Sequence, residues 1–210
     1  IDTSLNTSQK KTLYHCYDPM CSWCYGFTAV WEQVLAELDD SIEVKYLLGG
    51  LAADTDQPMP EEMRVNIRDN WRRIEREIPG TVFNYDFWTV CQPRRSTYPS
   101  CRAVIAARMQ KPESEYVMVK AIRQAYYQQA RNPSDLAVLI DTAEGIGLDR
   151  ERFIDDISSD SCEQQLQKEI QQCRDLDVYS FPSLVLKQGE SYASLDIDYN
   201  DNKVILNQVL

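Results

Sequence analysis

The amino-terminal part of the chain shows a strand–helix–strand pattern, which limits the fold to a few topologies. Residues 12–18 are rich in β-forming types and are followed by Pro19, which predicts a buried strand with a sharp exit. From 23 to 38, apolar residues recur at spacings of three and four, as on one face of a helix. Residues 42–48 indicate a second strand, closed by two glycines. The order predicts a right-handed parallel crossover.

The middle of the chain carries a different, helical pattern. Helices are predicted at 61–78, 98–110, 115–130, 134–145, 150–157 and 162–176. Ser134 follows a proline and is the expected N-cap of its helix. Residues 81–96 hold several aromatic side chains and two arginines, which favours a loop folded against the rest of the protein.

The β pattern returns near the carboxyl end. Residues 183–187 and 192–196 flank the turn formers Gln188-Gly189-Glu190, which predicts a tight hairpin, and 199–210 indicates a closing helix. The predicted class is therefore α/β, a sheet domain interrupted by a helical insertion. We expect its first half at 1–58, the insertion at 59–160 and its second half at 161–210.

Composition excludes several kinds of partner. The 210 residues carry a formal net charge of −11, which argues against nucleic acid or an anionic membrane. No stretch approaches the ~18 apolar residues needed to span a bilayer. Seven cysteines, an odd and moderate number, favour a reducing compartment, and residues 1–11 show no apolar signal core. We expect a cytoplasmic protein; because the first residue is not Met, a periplasmic one is the alternative.

The Cys21-Ser22-Trp23-Cys24 pair at the strand–helix junction carries the chemistry. A cysteine at a helix N-terminus faces unpaired amides that stabilise its thiolate, and its pKa falls below the usual ~8.5. The second cysteine, one turn later, resolves a mixed disulfide. Zinc binding would need two further ligands at suitable spacing, and a purely structural disulfide is the other alternative. The strand–helix context favours redox chemistry, with no metal and no organic cofactor.

The run Asp18-Pro-Met-Cys-Ser-Trp-Cys-Tyr-Gly-Phe27 resembles the DsbA-like branch of the thioredoxin superfamily, in particular its FrnE-type subgroup. The resemblance implies a thioredoxin fold with an inserted α-helical domain, and a protein-disulfide oxidoreductase or isomerase. Its substrates would be thiol- or disulfide-bearing proteins, or glutathione as a co-substrate, and the chain would be a monomer or homodimer.

The same resemblance implies a cis-proline facing the cysteines, just before a late strand. Pro182 occupies that place, with Phe181 before it. An X-Pro bond adopts cis at modest cost, and the exposed backbone beside it would pair with substrate. Taken alone, Pro182 would be an ordinary strand-start proline.

His15 lies six residues before Cys21, where thioredoxin-like enzymes often bury a carboxylate. An imidazole there would accept the proton of the resolving thiol and, if charged, would favour a nearby thiolate. The alternative is a hydrogen-bonded core histidine.

Ser22 and Trp23 are expected to tune the pair and to contact substrate. Ser22 would donate a hydrogen bond to the Cys21 thiolate, whereas Trp23 would tune the potential or cap apolar surface. Arg94 and Arg95 would bind an acidic partner or a glutathione carboxylate, although loop arginines are more often simply solvated.

Two other functions stay open at this stage. Kappa-class glutathione transferases and related isomerases share the expected architecture, but they typically hold a serine at the first active position and lack the second cysteine. A holdase-like binding module, in which the cysteine pair is a structural clasp, is the other alternative.

Overall fold

The computed structural model describes residues 10–210. Residues 1–9, on which the expectation about a signal segment largely rests, lie outside the described residues. A mixed sheet forms the frame, and its strands are β1 (Lys11–Tyr17), β2 (Ile42–Leu48), β3 (Ser183–Gln188) and β4 (Ser191–Ser194).

The strand order is β2-β1-β3-β4. Strand β1 runs parallel to β2 and antiparallel to β3, so the predicted parallel pairing and the carboxyl-terminal hairpin are both present. Gly189 lies in the hairpin turn with a positive φ of 59°. Because β1 is a central strand, its side chains are covered on both faces of the sheet.

Ten α-helices pack around this sheet in the described part of the chain. They are α1 (Ser22–Gly26), α2 (Thr28–Glu37), α3 (Glu61–Glu77), α4 (Phe87–Val90), α5 (Tyr98–Gln110), α6 (Ser114–Arg123), α7 (Leu136–Gly145), α8 (Arg150–Ile157), α9 (Asp160–Asp175) and α10 (Asn202–Val209). Helices α3 to α9 lie between β2 and β3 in the sequence. The fold is thus α/β with a helical insertion; the bounds placed at residues 59 and 161 stay predictions.

Two predicted helices are interrupted in the structure. The helix expected at 23–38 is divided at Phe27, where the Thr28 hydroxyl donates to the carbonyl of Tyr25 at 2.7 Å and competes with the helical ladder. The helix expected at 115–130 changes after Arg123 into a π-helical turn, Gln124–Gln128.

Ser134 was wrongly predicted as an N-cap. Its hydroxyl donates instead to the carbonyl of Ser96 at 2.6 Å, and α7 begins two residues later with Asp135 before it. The predicted loop at 81–96 contains the short helix α4, whose Phe87 and Trp88 are buried. The closing helix is shorter than predicted because Asp201 caps it by accepting from the amide of Lys203.

Candidate active site

Cys21 lies where the chain leaves β1 and enters α1. Its amide donates to the carbonyl of Asp18 at 3.1 Å, which closes a tight turn through Pro19. Cys21 is the N-cap residue of α1, and its Sγ accepts the amide of Cys24 at 3.2 Å. This geometry directs an unpaired helix amide at sulfur, and such a bond is strengthened when the sulfur is negatively charged.

The loop before β3 faces Cys21 from the other side. The Phe181–Pro182 peptide bond is cis, and the Sγ of Cys21 donates to the carbonyl of Phe181 at 3.4 Å. Phe181 reaches this place because Gly49, at the end of β2, has no side chain. A Cβ at Gly49 would lie 1.9 Å from the Phe181 ring, so the two residues are matched to each other.

A cavity of about 350 Å³ opens over Cys21, a volume in the range of small-molecule sites. The predicted site residues Ser22, Trp23 and Phe181 line it together with Cys21. The helical insertion supplies the opposite wall, chiefly Met59, Met63, Ile67, Phe87, Arg94, Arg95 and Tyr126. Cys21 therefore faces a groove between the sheet domain and the insertion.

Cys24 lies on the inner side of α1, with a side chain that is 2% exposed. Burial, reinforced by the hydrogen bond and charge of Cys21, raises its pKa well above the usual value. A high thiol pKa keeps Cys24 protonated, so it is a poor first nucleophile. The two cysteines of the motif are thus chemically unequal.

Ser22 does not make the bond expected of it. Its Oγ accepts from the indole Nε1 of Trp71 at 2.9 Å, and Trp71 is fully buried in the insertion. The bond received by the sulfur of Cys21 comes from the Cys24 amide instead. Ser22 therefore connects α1 to α3, and the bond it was expected to give Cys21 is absent from the described residues.

Trp23 is half-buried at the edge of the cavity. The guanidinium of Arg73 lies 5.2 Å from the centre of its ring, and the Tyr199 ring lies 5.2 Å away on the sheet domain. These contacts favour the surface-capping interpretation of Trp23, in which the indole covers the junction between sheet and insertion.

His15 lies on β1 in an aromatic enclosure. Its ring centroid is 4.6 to 5.6 Å from those of Tyr17, Phe27, Trp31 and Tyr46. Neither of its ring nitrogens has a hydrogen-bond partner among the described residues. Burial, with a smaller effect of Arg123, lowers its pKa to about 3. The imidazole is neutral at pH 7 and supplies no charge to a thiolate; it also differs from the hydrogen-bonded core histidine that was the alternative.

Arg123 is a buried cation beside the pair that sequence reasoning missed. It is 5% exposed, its guanidinium lies 5.9 Å from the centre of the Tyr17 ring, and Nη1 donates to Thr28 Oγ1 at 3.2 Å. No carboxylate of residues 10–210 forms an ion pair with it. Its charge lowers the pKa of Cys24 against the larger effect of burial. Its spacing of four residues from the apolar Val119 on α6 was the available sequence signal, and that spacing alone does not show that Arg123 is buried.

Asp18 is the second residue missed as a site residue, although it belongs to the motif that carried the resemblance. The carboxylate is fully buried and accepts the amides of Met20 and Leu51, both at 2.8 Å, and the hydroxyl of Thr97 at 2.7 Å. Burial raises its pKa, and these three bonds partly offset that effect. Asp18 joins the cysteine turn to the end of β2 and the start of α5, and so holds Cys21 in position.

The remaining five cysteines have no disulfide partner among residues 10–210. They are Cys16, Cys91, Cys101, Cys162 and Cys173; all are buried except the half-buried Cys91. No group of three or more potential metal ligands occurs within the described residues. No helix between residues 10 and 210 combines the length and apolar character needed to cross a membrane.

A sequence model of the thioredoxin family, described as "Thioredoxin", matches residues 14–206. The chain belongs to the thioredoxin family. The match includes the cysteine turn, the helical insertion and the Pro182 loop. The predicted fold class is therefore confirmed.

Solved structures of disulfide oxidoreductases share this fold over nearly the whole chain. A candidate protein disulfide isomerase from Nitrosomonas europaea has 27% identity and a TM-score of 0.84, covering 95% of both chains. The cytosolic disulfide reductase DsbM of Pseudomonas aeruginosa has 23% identity and a TM-score of 0.73, covering 88% of this chain and 89% of that one. DsbA proteins share the fold at lower identity. These likenesses show that the chain shares the fold of DsbA-type proteins.

A protein related in sequence is named as an adapter and not as an oxidoreductase. The ClpXP adapter protein SpxH of Halalkalibacterium halodurans is 23% identical over 177 residues, 82% of this chain. The match spans 57% of the length of that relative.

Proposed function

We propose that this protein is a thiol–disulfide oxidoreductase that uses Cys21 as the attacking thiol and Cys24 as the resolving thiol. The observation that carries the proposal is the position of the Cys21 sulfur. It accepts the amide of Cys24 at the start of α1, contacts the carbonyl of Phe181, and faces a cavity. A helix amide directed at sulfur stabilises a thiolate, and Cys21, although only 7% exposed, lines the cavity through which a substrate would reach it.

In the reducing direction, the Cys21 thiolate attacks one sulfur of a substrate disulfide, and the other substrate sulfur leaves as a thiolate. The mixed disulfide is then resolved when Cys24 loses its proton and attacks the sulfur of Cys21. The Cys21–Cys24 bond forms, the substrate leaves as a dithiol, and two electrons have passed to it. The reverse sequence oxidises a dithiol substrate.

Phe181 and Pro182 are proposed to form the substrate-binding edge. The carbonyl of Phe181 is directed at the reacting sulfur, where the backbone of an extended substrate would pair with it. Tyr179, which is 71% exposed, lies at the rim of the same cavity and offers an aromatic contact to substrate. Glutathione is a second candidate partner, since the reductase DsbM has also been solved with GSH.

A redox titration tests the proposal. The protein is equilibrated in glutathione or dithiothreitol buffers of graded potential, and the state of each cysteine is determined by alkylation and mass spectrometry. We expect one reversible two-electron couple at Cys21 and Cys24. A couple too reducing to exchange, below about −300 mV, would instead favour a structural clasp in a binding or adapter role. Turnover of an electrophile with glutathione by the Cys24→Ser variant would favour a transferase.

A further inference from the structure

The cavity over Cys21 has an unusual charge for this protein. The chain has a formal net charge of −11, yet the only charged side chains that the described residues contribute to the cavity lining are Arg94 and Arg95. Neither aspartate, glutamate nor lysine from residues 10–210 contributes to the lining. The groove is therefore locally positive on a molecule that repels anions at long range.

Arg94 is neutralised within the protein. Its Nη1 donates to Asp135 Oδ1 at 2.7 Å, and its Nη2 donates to the carbonyl of Ser134 at 2.7 Å. The remaining Nε is buried and has no partner among the described residues. Arg94 is thus held in place with one donor left over.

Arg95 has no such compensation. It is half-buried in the cavity wall, and neither an ion pair nor a hydrogen bond joins its side chain to any of residues 10–210. Its charge lowers the pKa of Tyr126, another lining residue, against the larger effect of burial, which agrees with a guanidinium directed along this wall. A half-buried, unpaired arginine is a ready partner for a carboxylate.

The backbone around Arg95 is fixed by its neighbours. The carbonyl of Ser96 accepts the Ser134 hydroxyl at 2.6 Å, and the Thr97 hydroxyl donates to Asp18 at 2.7 Å. Because Asp18 also holds the cysteine turn, Arg95 and Cys21 are positioned by one hydrogen-bonded framework. A substrate group on Arg95 would therefore have a defined relation to the reacting sulfur.

We propose that Arg95 binds a carboxylate of the substrate and makes the site selective for anionic thiols and disulfides. The inference rests on the proposed function and specifies its substrate class. The apolar wall, with Met20, Met59 and Met63, would cover the uncharged part of such a substrate, because methionine side chains adapt to varied shapes. Glutathione disulfide and a protein cysteine with an acidic neighbour share the required chemistry.

Small disulfides of different charge test the proposal. The reduced wild-type protein is mixed with anionic dithiobis(nitrobenzoate), neutral dithiodipyridine or cationic cystamine, and second-order rates are compared with those of free dithiothreitol. We expect Arg95→Gln to lower the relative rate for the anionic disulfide about tenfold, and to leave the neutral one within about twofold. The preference should weaken as salt is raised, because a half-buried pair is partly screened.

Arg150→Gln is the matched control, since it removes the same charge from helix α8, outside the cavity. Arg95→Lys keeps the charge and should retain most of the preference. If Arg95→Gln slows all three disulfides equally, or if Arg150→Gln reproduces its effect, carboxylate binding by Arg95 is wrong. If the wild-type protein reacts with none of them, the proposed function itself is wrong.

Two further substrates distinguish the sources of the carboxylate. Glutathione disulfide is compared with its diethyl ester, and a cysteine peptide disulfide with a glutamate neighbour is compared with its glutamine form. A preference for the acidic member of either pair, lost in Arg95→Gln, supports the proposal and identifies the source. The absence of a preference in both pairs overturns it.

Discussion

The two sides of helix α1 present opposite environments to two cysteines that are three residues apart. On the outer side, Cys21 faces a cavity with an arginine in its wall and a backbone carbonyl opposite its sulfur. On the inner side, Cys24 is buried, and the cation of Arg123 is close enough to lower its pKa against the larger effect of burial. One turn of helix separates the proposed attacking thiol from the proposed resolving thiol.

This difference indicates how a symmetrical motif acquires two roles. The helix amide acts on Cys21, whereas burial acts on Cys24 and raises its pKa. Cys21 lines the cavity, whereas burial keeps Cys24 protonated, so we expect the attack on an external disulfide to come from Cys21. The inner thiol is then available only for the intramolecular step, which needs no access from solvent.

Removing the outer thiol should have the largest effect. We expect Cys21→Ser to lower disulfide-exchange turnover by more than about 1,000-fold, because a serine hydroxyl is a far weaker nucleophile at neutral pH. Reduction of a model protein disulfide measures the loss. Cys91→Ser is the control, since Cys91 is half-buried and its sulfur donates to the carbonyl of Ala130 away from the cavity. Equal loss in both variants would contradict the assignment.

Burial of the neutral His15 on the inner side should make the free energy of unfolding depend on pH. The pKa of His15 is about 3 when folded and near its usual 6.5 when unfolded, so the unfolded chain binds the extra proton between these values. The contribution of His15 is complete above pH 6.5 and falls with decreasing pH, by about 2 kcal/mol at pH 5. Urea unfolding at pH 7 and pH 5 measures this loss.

The matched variant is His15→Phe, which keeps an aromatic ring and removes the titration. His15 is the only histidine in the sequence, so its variant should lose about 2 kcal/mol less than wild type between the two pH values. The same loss in both proteins would show that His15 is not buried in neutral form. A shifted pH profile of thiol alkylation in His15→Phe would instead restore its predicted catalytic role.

Removing the charge of Arg123 should have a smaller effect, on the resolving step of Cys24. We expect Arg123→Met to raise the pKa of Cys24 further and to slow resolution of the mixed disulfide about tenfold, because a buried cation no longer favours the thiolate. Quenched-flow measurement of the mixed disulfide across pH detects the change. Arg123→Lys should recover part of the rate, and Lys120→Met, at an exposed cation paired with Glu32, should have no effect. If neither the lysine variant nor a higher pH restores the rate of resolution, Arg123 has only a packing role.

Ser22→Ala should have the smallest effect. It removes the acceptor of the buried Trp71 indole and should cost about 1 kcal/mol of stability, measured by urea unfolding. The pH profile of Cys21 alkylation should remain that of wild type, since the Cys24 amide supplies the bond to sulfur. Ser22→Thr keeps the hydroxyl as a control. A shifted alkylation profile in Ser22→Ala would show that Ser22 acts on the thiolate after all.

Local patterns predicted the frame of this molecule well. The strands around β1, the helices α5 and α8, and the hairpin at Gly189 follow from alternation, helical spacing and turn residues. Ser134 and Phe27 show the limit, because long-range or side-chain bonds at those points displaced the local preference. The motif itself marked Cys21 and Cys24.

The neighbours of Cys21 and Cys24 could not be predicted from local patterns, because they come from segments distant in the sequence. Arg123 and Arg95 come from the insertion, and no local pattern shows that one is buried under α1 while the other lines the groove. The bond from Trp71 to Ser22 joins residues 49 positions apart and reversed the role expected for the serine. Such roles depend on tertiary packing, which spacing along one element does not encode.

Mapping of the mixed disulfide shows which of the two cysteines attacks the substrate. The reduced wild-type protein is mixed briefly with a substrate disulfide, quenched in acid and digested, and mass spectrometry locates the substrate thiol. The division between the two sides of α1 predicts an adduct on Cys21 that accumulates in Cys24→Ser, with none on Cys24 in wild type. A substrate adduct on Cys24 in the wild-type protein would contradict the account.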